Sequence, residues 1–303
     1  MAMKWTGADL DSQAGRTVIV TGANSGLGKA TAKAFAAAGA RVVLAVRDLS
    51  RGQRAVAELT PLVDGPLELR QLDLADLASV RAFAADWDET VDVLVNNAGI
   101  MAVAEGTTAD GFELQFGTNH LGHFALTNLL LPYVSDRVVT VSSGAHRMGT
   151  IDLDDLNWRQ RSYSPWRAYG QSKLANLLFT LELQRRLHAA GSPLRALAAH
   201  PGYAATNLQT GSASKWADRM MAVANKVIAQ SDEMGALPTL FAASQDLPGG
   251  SYVGPDGMRE GRGYPTLVGR TSDASDVRLA QRLWAKSEEL TGVGFPENAG
   301  AAT

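Results

Sequence analysis

The sequence predicts an α/β fold, a doubly wound parallel sheet of about seven strands covered by helices on both faces and built as a single domain, 1–303. Three observations predict it. From Arg16 onward, short β-branched runs alternate with longer Ala- and Leu-rich amphipathic stretches, the order that lays parallel strands under crossover helices. The first run passes through a glycine-rich turn directly into the first amphipathic stretch. No internal repeat and no long Pro/Gly/Ser-rich linker divides the chain.

The β-branched runs place strands at 17–20, 41–46, 67–72, 91–95, 137–141 and 194–199, with a last short one near Tyr252. Helical periodicity fills the intervals at 27–38, 51–59, 77–86, 112–133, 168–190 and 231–243, and a C-terminal helical extension follows at 273–290. Two stretches break the alternation. Residues 148–166 are rich in Asp and Trp, and 203–230 hold several Met and Ala but no strand, so both read as loops over a site.

Composition narrows the function. A formal charge of -3 with scattered Lys and Arg argues against nucleic-acid or membrane-surface partners. The absence of cysteine rules out a disulfide framework, an iron–sulfur cluster and a thiolate zinc site. No basic start followed by an apolar run marks a secretory signal, and no segment reaches the ~20 apolar residues that span a bilayer, so a cytoplasmic protein is expected.

The first strand ends in Thr21-Gly22-Ala23-Asn24-Ser25-Gly26-Leu27-Gly28 and opens the Ala-rich helix. Glycines there allow a tight turn and close approach of a diphosphate, and the free amides and positive dipole end of the helix attract its charge. This is the cradle of a dinucleotide-binding Rossmann fold. An acidic residue ending the second strand would hold the ribose 2′-hydroxyl of NAD; here Val46 is followed by Arg47, whose guanidinium suits a 2′-phosphate. NADP(H) is therefore favoured, with NAD(H) kept open by the adjoining Asp48.

Small polar residues gather at later strand ends, Asn96-Asn97-Ala98-Gly99 after the fourth and Ser142-Ser143-Gly144 after the fifth. In open α/β sheets that edge binds ligands. Further on, Tyr169 and Lys173 are four residues apart on one helical stretch and so share a face. A neighbouring cation stabilises phenolate and would draw the tyrosine from its ordinary value near ~10 towards useful acid/base chemistry.

In the order glycine turn, Asn-Asn-Ala-Gly, Asn119, paired serines, Tyr–Lys and Pro201-Gly202, the chain resembles the short-chain dehydrogenase/reductase family over about residues 15–257. The resemblance implies a catalytic set of Asn119, Ser143, Tyr169 and Lys173. Tyr169 would donate the proton in carbonyl reduction, Ser143 would polarise the carbonyl, and Asn119 would support a relay water beside Lys173. Ser142 stays open as the alternative serine. The implied cofactor contacts are Gly22, Asn24, Ser25, Gly26, Leu27, Gly28, Arg47, Asp73, Leu74, Asn97, Ala98, Gly99, Tyr169, Lys173, Pro201, Gly202 and Thr206. Asp73 and Leu74 would lie at the adenine, Asn97 to Gly99 near the adenosine and ribose, and Pro201, Gly202 and Thr206 at the nicotinamide. Within the family, the runs Thr118-Asn119-His120-Leu121-Gly122-His123-Phe124 and Tyr252-x-Gly254-Pro255-x-Gly257 resemble the retinol-dehydrogenase-like branch. That branch implies a small lipophilic alcohol or carbonyl, although the membrane-anchoring start of some members is not seen here.

Other features are read plainly. His120 and His123 have no third ligand beside them, so no metal is expected. Asp152, Asp154 and Asp155 read as a solvated loop, and Met220, Met221 and Val223 as either lid or packing. Leu177, Leu178, Leu181 and Leu183 could form the seam of a homo-oligomer, dimer or tetramer, or pack within one chain. Two other functions share these features: a dinucleotide-sensing protein without catalysis, and a sugar-nucleotide epimerase.

Overall fold

The structure, a computed structural model, describes residues 4–202, 231–297 and 299. Its strands are β1 (Thr17–Thr21), β2 (Arg41–Val46), β3 (Leu67–Gln71), β4 (Val91–Asn96), β5 (Val134–Val141), β6 (Arg195–Ala199), β7 (Tyr252–Pro255) and β8 (Pro265–Leu267). They form one sheet in the order β3-β2-β1-β4-β5-β6-β7-β8. The first seven are parallel and β8 is antiparallel to β7. The expectation of about seven strands thus misses β8. That strand has three residues, starts with proline and sits at the sheet edge, where no alternating run announces it and a lost N–H breaks no ladder.

The helices are α1 (Gly26–Ala37), α2 (Leu49–Leu59), α3 (Leu77–Ala85), α4 (Leu114–Phe116), α5 (Gly122–Leu130), α6 (Pro165–Ala189), α7 (Asp232–Ser244) and α8 (Val277–Thr291). The helix expected at 112–133 is one continuous helical run from Leu114, in which α4 passes through a π-helical turn, Gly117–Leu121, into α5. The α6 helix begins earlier than expected because Pro165 follows Ser164, and proline is at home in a first helical turn where no N–H is needed. The C-terminal helix starts later than 273, since Asp276 caps it by accepting from the N–H groups of Arg278 and Leu279.

Strand alternation sorts the core into two layers. Val18, Val20, Val42, Leu44, Val93 and Val95 pack with Phe35 of α1, Leu59 of α2 and Leu240 of α7. Their neighbours Ile19, Val43 and Leu94 face the other way, onto Phe83 of α3, Phe124 of α5 and Leu183 of α6. Both faces of the sheet are therefore covered, as a parallel sheet requires. Outside this, α8 packs on α6, with Trp284 stacked on Phe179 at 5.6 Å between ring centroids. Leu177, Leu178 and Leu183 are fully buried in the chain's own core. Strand order reverses between β1 and β4, and the crevice beyond their carboxyl ends is where such sheets bind ligands.

Candidate active site

The turn leaving β1 has the shape of a phosphate cradle. Gly22 and Gly26 hold φ of +67° and +55°, conformations that side-chain-bearing residues rarely adopt. Gly28 is needed for packing instead: a Cβ there would lie 2.5 Å from Asn97 Nδ2 and 2.6 Å from the Gly22 carbonyl oxygen. Ser25 caps α1 in an extended conformation without a side-chain capping bond. The first amides of α1, around Leu27 and Gly28, are thus left without a capping side chain at the end of a glycine turn, the arrangement a diphosphate would need.

At the end of β2, Arg47 is exposed and Asp48 is committed elsewhere, its Oδ1 accepting the Arg51 N–H at 3.0 Å as the cap of α2. The carboxylate that kept NAD(H) open is thus a helix cap. After β3, Asp73 Oδ1 accepts from the Ala75 N–H, and Leu74 is buried against α5, where a Cβ on Gly122 would strike the Leu74 carbonyl oxygen at 2.4 Å.

The end of β4 is tied to β1 through Thr21. Its hydroxyl oxygen accepts from the N–H groups of Asn97 and Ala98, both at 2.9 Å, while Asn97 Nδ2 donates to the Thr21 carbonyl at 2.8 Å. The Asn97 side chain is thereby spent on the scaffold. Gly99 lies at the centre: a Cβ there would be 3.3 Å from Asn119 Oδ1 and 3.5 Å from Lys173 Nζ. The buried Asn119 side chain pairs with Ile100 in both directions and donates to Ser172 Oγ, each at 2.9 Å. The Asn119 main chain is set in a π-helical turn, a feature that recurs at functional sites, and its carbonyl meets His123 Nδ1 at 3.0 Å.

The two serines after β5 divide their duties. Ser142 is buried and donates to the Lys173 carbonyl at 2.8 Å, whereas Ser143, whose Oγ accepts from the Ala145 N–H at 3.2 Å, is the serine whose hydroxyl acts on the Tyr169 phenol. His146 holds Ser143 from behind, its Nδ1 on the Ser143 carbonyl at 2.7 Å. Tyr169 and Lys173 share the buried face of α6 as the spacing requires. Their electrostatics differ from the sequence expectation. Burial pushes the Tyr169 phenol up to about 12, opposed by the bond with Ser143. Burial also pushes Lys173 down to about 8. The ammonium donates to the Val141 carbonyl at 3.0 Å and sits 5.7 Å from the tyrosine ring centroid, so it is not spent on the phenol oxygen.

Beyond β6, His200 accepts from the Gly202 N–H at 3.2 Å, which turns Pro201-Gly202 back along the sheet edge with Gly202 at φ +70°. Thr206 and the 203–230 stretch, with Met220, Met221 and Val223, lie outside the described residues. At the mouth of the site two large apolar side chains stand open to solvent. Trp166 is 43% exposed, with its ring edge-on to Tyr169 at 6.3 Å, and Met148 is 53% exposed against the start of α6. Composition of the 148–166 loop marked it as a lining segment, but only the fold shows which of its residues meet Tyr169. Among the described residues no group of His, Cys, Asp and Glu could hold a metal ion, and no helix is long and apolar enough to cross a membrane.

A family model described as short chain dehydrogenase matches residues 16–217. Human retinol dehydrogenase 13 is 43% identical over 294 residues, 93% of this chain and 86% of the human protein. Mouse polyprenol dehydrogenase is 40% identical over 97% of this chain and 89% of its own length. Among solved structures, an uncharacterized protein of Mycobacterium paratuberculosis is 57% identical, with a TM-score of 0.85, over 97% of this chain and 100% of that one.

Proposed function

The chain belongs to the short-chain dehydrogenase/reductase family, in its retinol-dehydrogenase-like branch, and from that membership we propose an NADP(H)-dependent oxidoreductase acting on a small lipophilic alcohol or carbonyl. The observation that supports the reading is that Gly99, at the end of β4, lies beside both Asn119 and Lys173, with Tyr169 on the same buried face of α6 as Lys173 and under the influence of the Ser143 hydroxyl. The nicotinamide, when bound, supplies or accepts the hydride. The rest falls to the chain. Ser143 and the Tyr169 hydroxyl would hold a substrate oxygen, Tyr169 holds the proton to be transferred, and Lys173 would hold the ribose.

Arg47 supports NADP(H): it is an exposed cation at the ribose end of the cradle, and its acidic neighbour is occupied as a cap. Met148 and Trp166 support an apolar substrate, because water-exposed apolar side chains flanking a buried phenol favour a partner that covers them. The names of the relatives point the same way, one acting on retinol and one on polyprenol.

The test is titration with NADPH and NADH, followed by cofactor oxidation over a panel of aldehydes and ketones of increasing chain length. Expected are tight NADPH binding and turnover that rises with apolar length. In Tyr169→Phe, turnover should fall about 10²- to 10⁴-fold with NADPH affinity unchanged. Binding without any turnover would replace this reading with cofactor sensing, and an active Tyr169→Phe variant would remove the acid/base role.

A further inference from the structure

His123, set aside above as half of an unlikely metal pair, lies at the junction of the two halves of the site. His120 and His123 part company: His120 Nε2 meets Ser287 Oγ of α8 at 2.9 Å, while His123 turns towards the sheet. His123 is 1% exposed, with Nδ1 3.0 Å from the Asn119 carbonyl oxygen and Nε2 2.9 Å from Thr21 Oγ1.

These partners fix the tautomer. A carbonyl can only accept, so Nδ1 carries the proton and Nε2 must accept. Thr21 then donates its hydroxyl proton to Nε2 rather than to the Val95 carbonyl, which is 3.4 Å away. That choice leaves the Thr21 oxygen free to accept from both Asn97 and Ala98, as observed. The chain Asn119–His123–Thr21–Asn97/Ala98 then runs in one direction, with the Thr21 hydroxyl donating once and accepting twice. Burial supports the neutral ring by pushing His123 down to about 4, with the Lys173 charge adding to the effect.

We propose that His123 is a positioning residue that locks the Asn119 main chain to the β1 and β4 ends, coupling the catalytic centre to the cofactor cradle. The proposal rests on the catalytic reading of Asn119 and Lys173. No other described side chain bridges Asn119 and Thr21. Without the bridge, the Asn119 main chain and the ends of β1 and β4 are free to relax independently.

The test compares His123→Asn, His123→Gln and His123→Leu, with Tm measured and rates expressed per folded molecule. An Asn amide reaches the place of Nδ1 but not that of Nε2. It should keep kcat within about threefold and weaken NADPH binding about five- to tenfold. Gln reaches towards Thr21 and should do the reverse, holding affinity and losing kcat about tenfold. Leu should lose both. A purely structural histidine predicts that the three variants differ only in Tm; kcat and NADPH affinity unchanged per folded molecule, or changed together in all three, overturn the proposal. If Leu does not fold, the opposite splits of Asn and Gln decide alone. If the wild-type protein shows no turnover, the functional reading falls, and the affinity order Gln above Asn still tests the Thr21 half of the bridge. On the wild-type protein, nitrogen-15 NMR of labelled histidine should report the Nδ1–H tautomer for His123, and an Nε2–H tautomer would overturn the proposal.

Discussion

Replacing Arg47 by Ala should weaken NADPH binding about tenfold and leave NADH binding unchanged. Two unit charges about 4 Å apart are worth about 1 kcal/mol in bulk water and about 4 kcal/mol at an effective dielectric typical of protein surfaces. Arg47 is exposed, which puts its interaction with a 2′-phosphate near the lower end, and each ~1.4 kcal/mol is a factor of ten in affinity. Arg47→Asp adds repulsion and should cost roughly another tenfold for NADPH alone. Because the Debye length is about 10 Å at 0.1 M salt, the wild-type preference should also narrow as salt is raised. The control is Asp48→Ser: serine can still cap α2, so the variant should remain folded and keep the wild-type preference. Nicotinamide fluorescence titrations with both cofactors give the ratio directly. A ratio unmoved by Arg47→Ala, or moved as much by Asp48→Ser, would refute the assignment of the 2′-phosphate to Arg47.

Gly28→Ala should abolish cofactor binding and lower stability by about 1–3 kcal/mol, since its Cβ must displace the Asn97 amide or the Gly22 backbone; calorimetry with and without NADPH reads both effects. Acid should destabilise the fold before carboxylates dominate. Buried His120 and His123 are held down to about 3 and about 4, against about 6.5 when unfolded, so unfolding takes up protons and stability falls as pH drops from 6.5 towards 4. These two contribute a slope of up to about 2.7 kcal/mol per pH unit, to which His200, also pushed down to about 4 by burial, adds its own, all read by urea unfolding at a series of pH values. Lys173→Met should raise stability at pH 7 by roughly 3 kcal/mol and inactivate the enzyme. Folded Lys173 titrates near 8 and unfolded lysine near 10.5, so the wild-type protein gains stability as pH rises between them, and the variant should lose that rise.

The sheet and the cradle were legible because their signals are local. β-branched runs such as Thr17-Val18-Ile19-Val20 encode strands, and three glycines between a strand and a helix encode a turn that only glycine can make. What escaped was set by tertiary contact. β8 exists because β7 offers it an edge, and the π-helical turn at Gly117–Leu121 carries Asn119, whose side chain pairs with Ile100, a contact that no local pattern announces. Arg47 was legible as a cation, but the role of Asp48 as a cap depended on where α2 starts. The spacing of His120 and His123 reveals a shared face but not what lies opposite it, so the pairing of His123 with Thr21, the first residue of the glycine-turn motif, was not legible.

The same distinction governs the Tyr169–Lys173 pair. Spacing puts both on one face of α6, which invites the inference that the ammonium lowers the phenol. In the folded chain burial outweighs that attraction, and each group is driven towards its neutral form, the phenol up to about 12 and the lysine down to about 8. At neutral pH the phenol is protonated, which is the state a proton donor to a carbonyl must start from. As pH rises, Lys173 loses its charge well before Tyr169 loses its proton. Carbonyl reduction should therefore be level below about pH 8 and decline above it as the Lys173 charge is lost, while Tyr169 is still protonated. A rate that stays level to pH 10 would mean that the charge on Lys173 is not required, and would return the proton chemistry to Tyr169 and Ser143 alone.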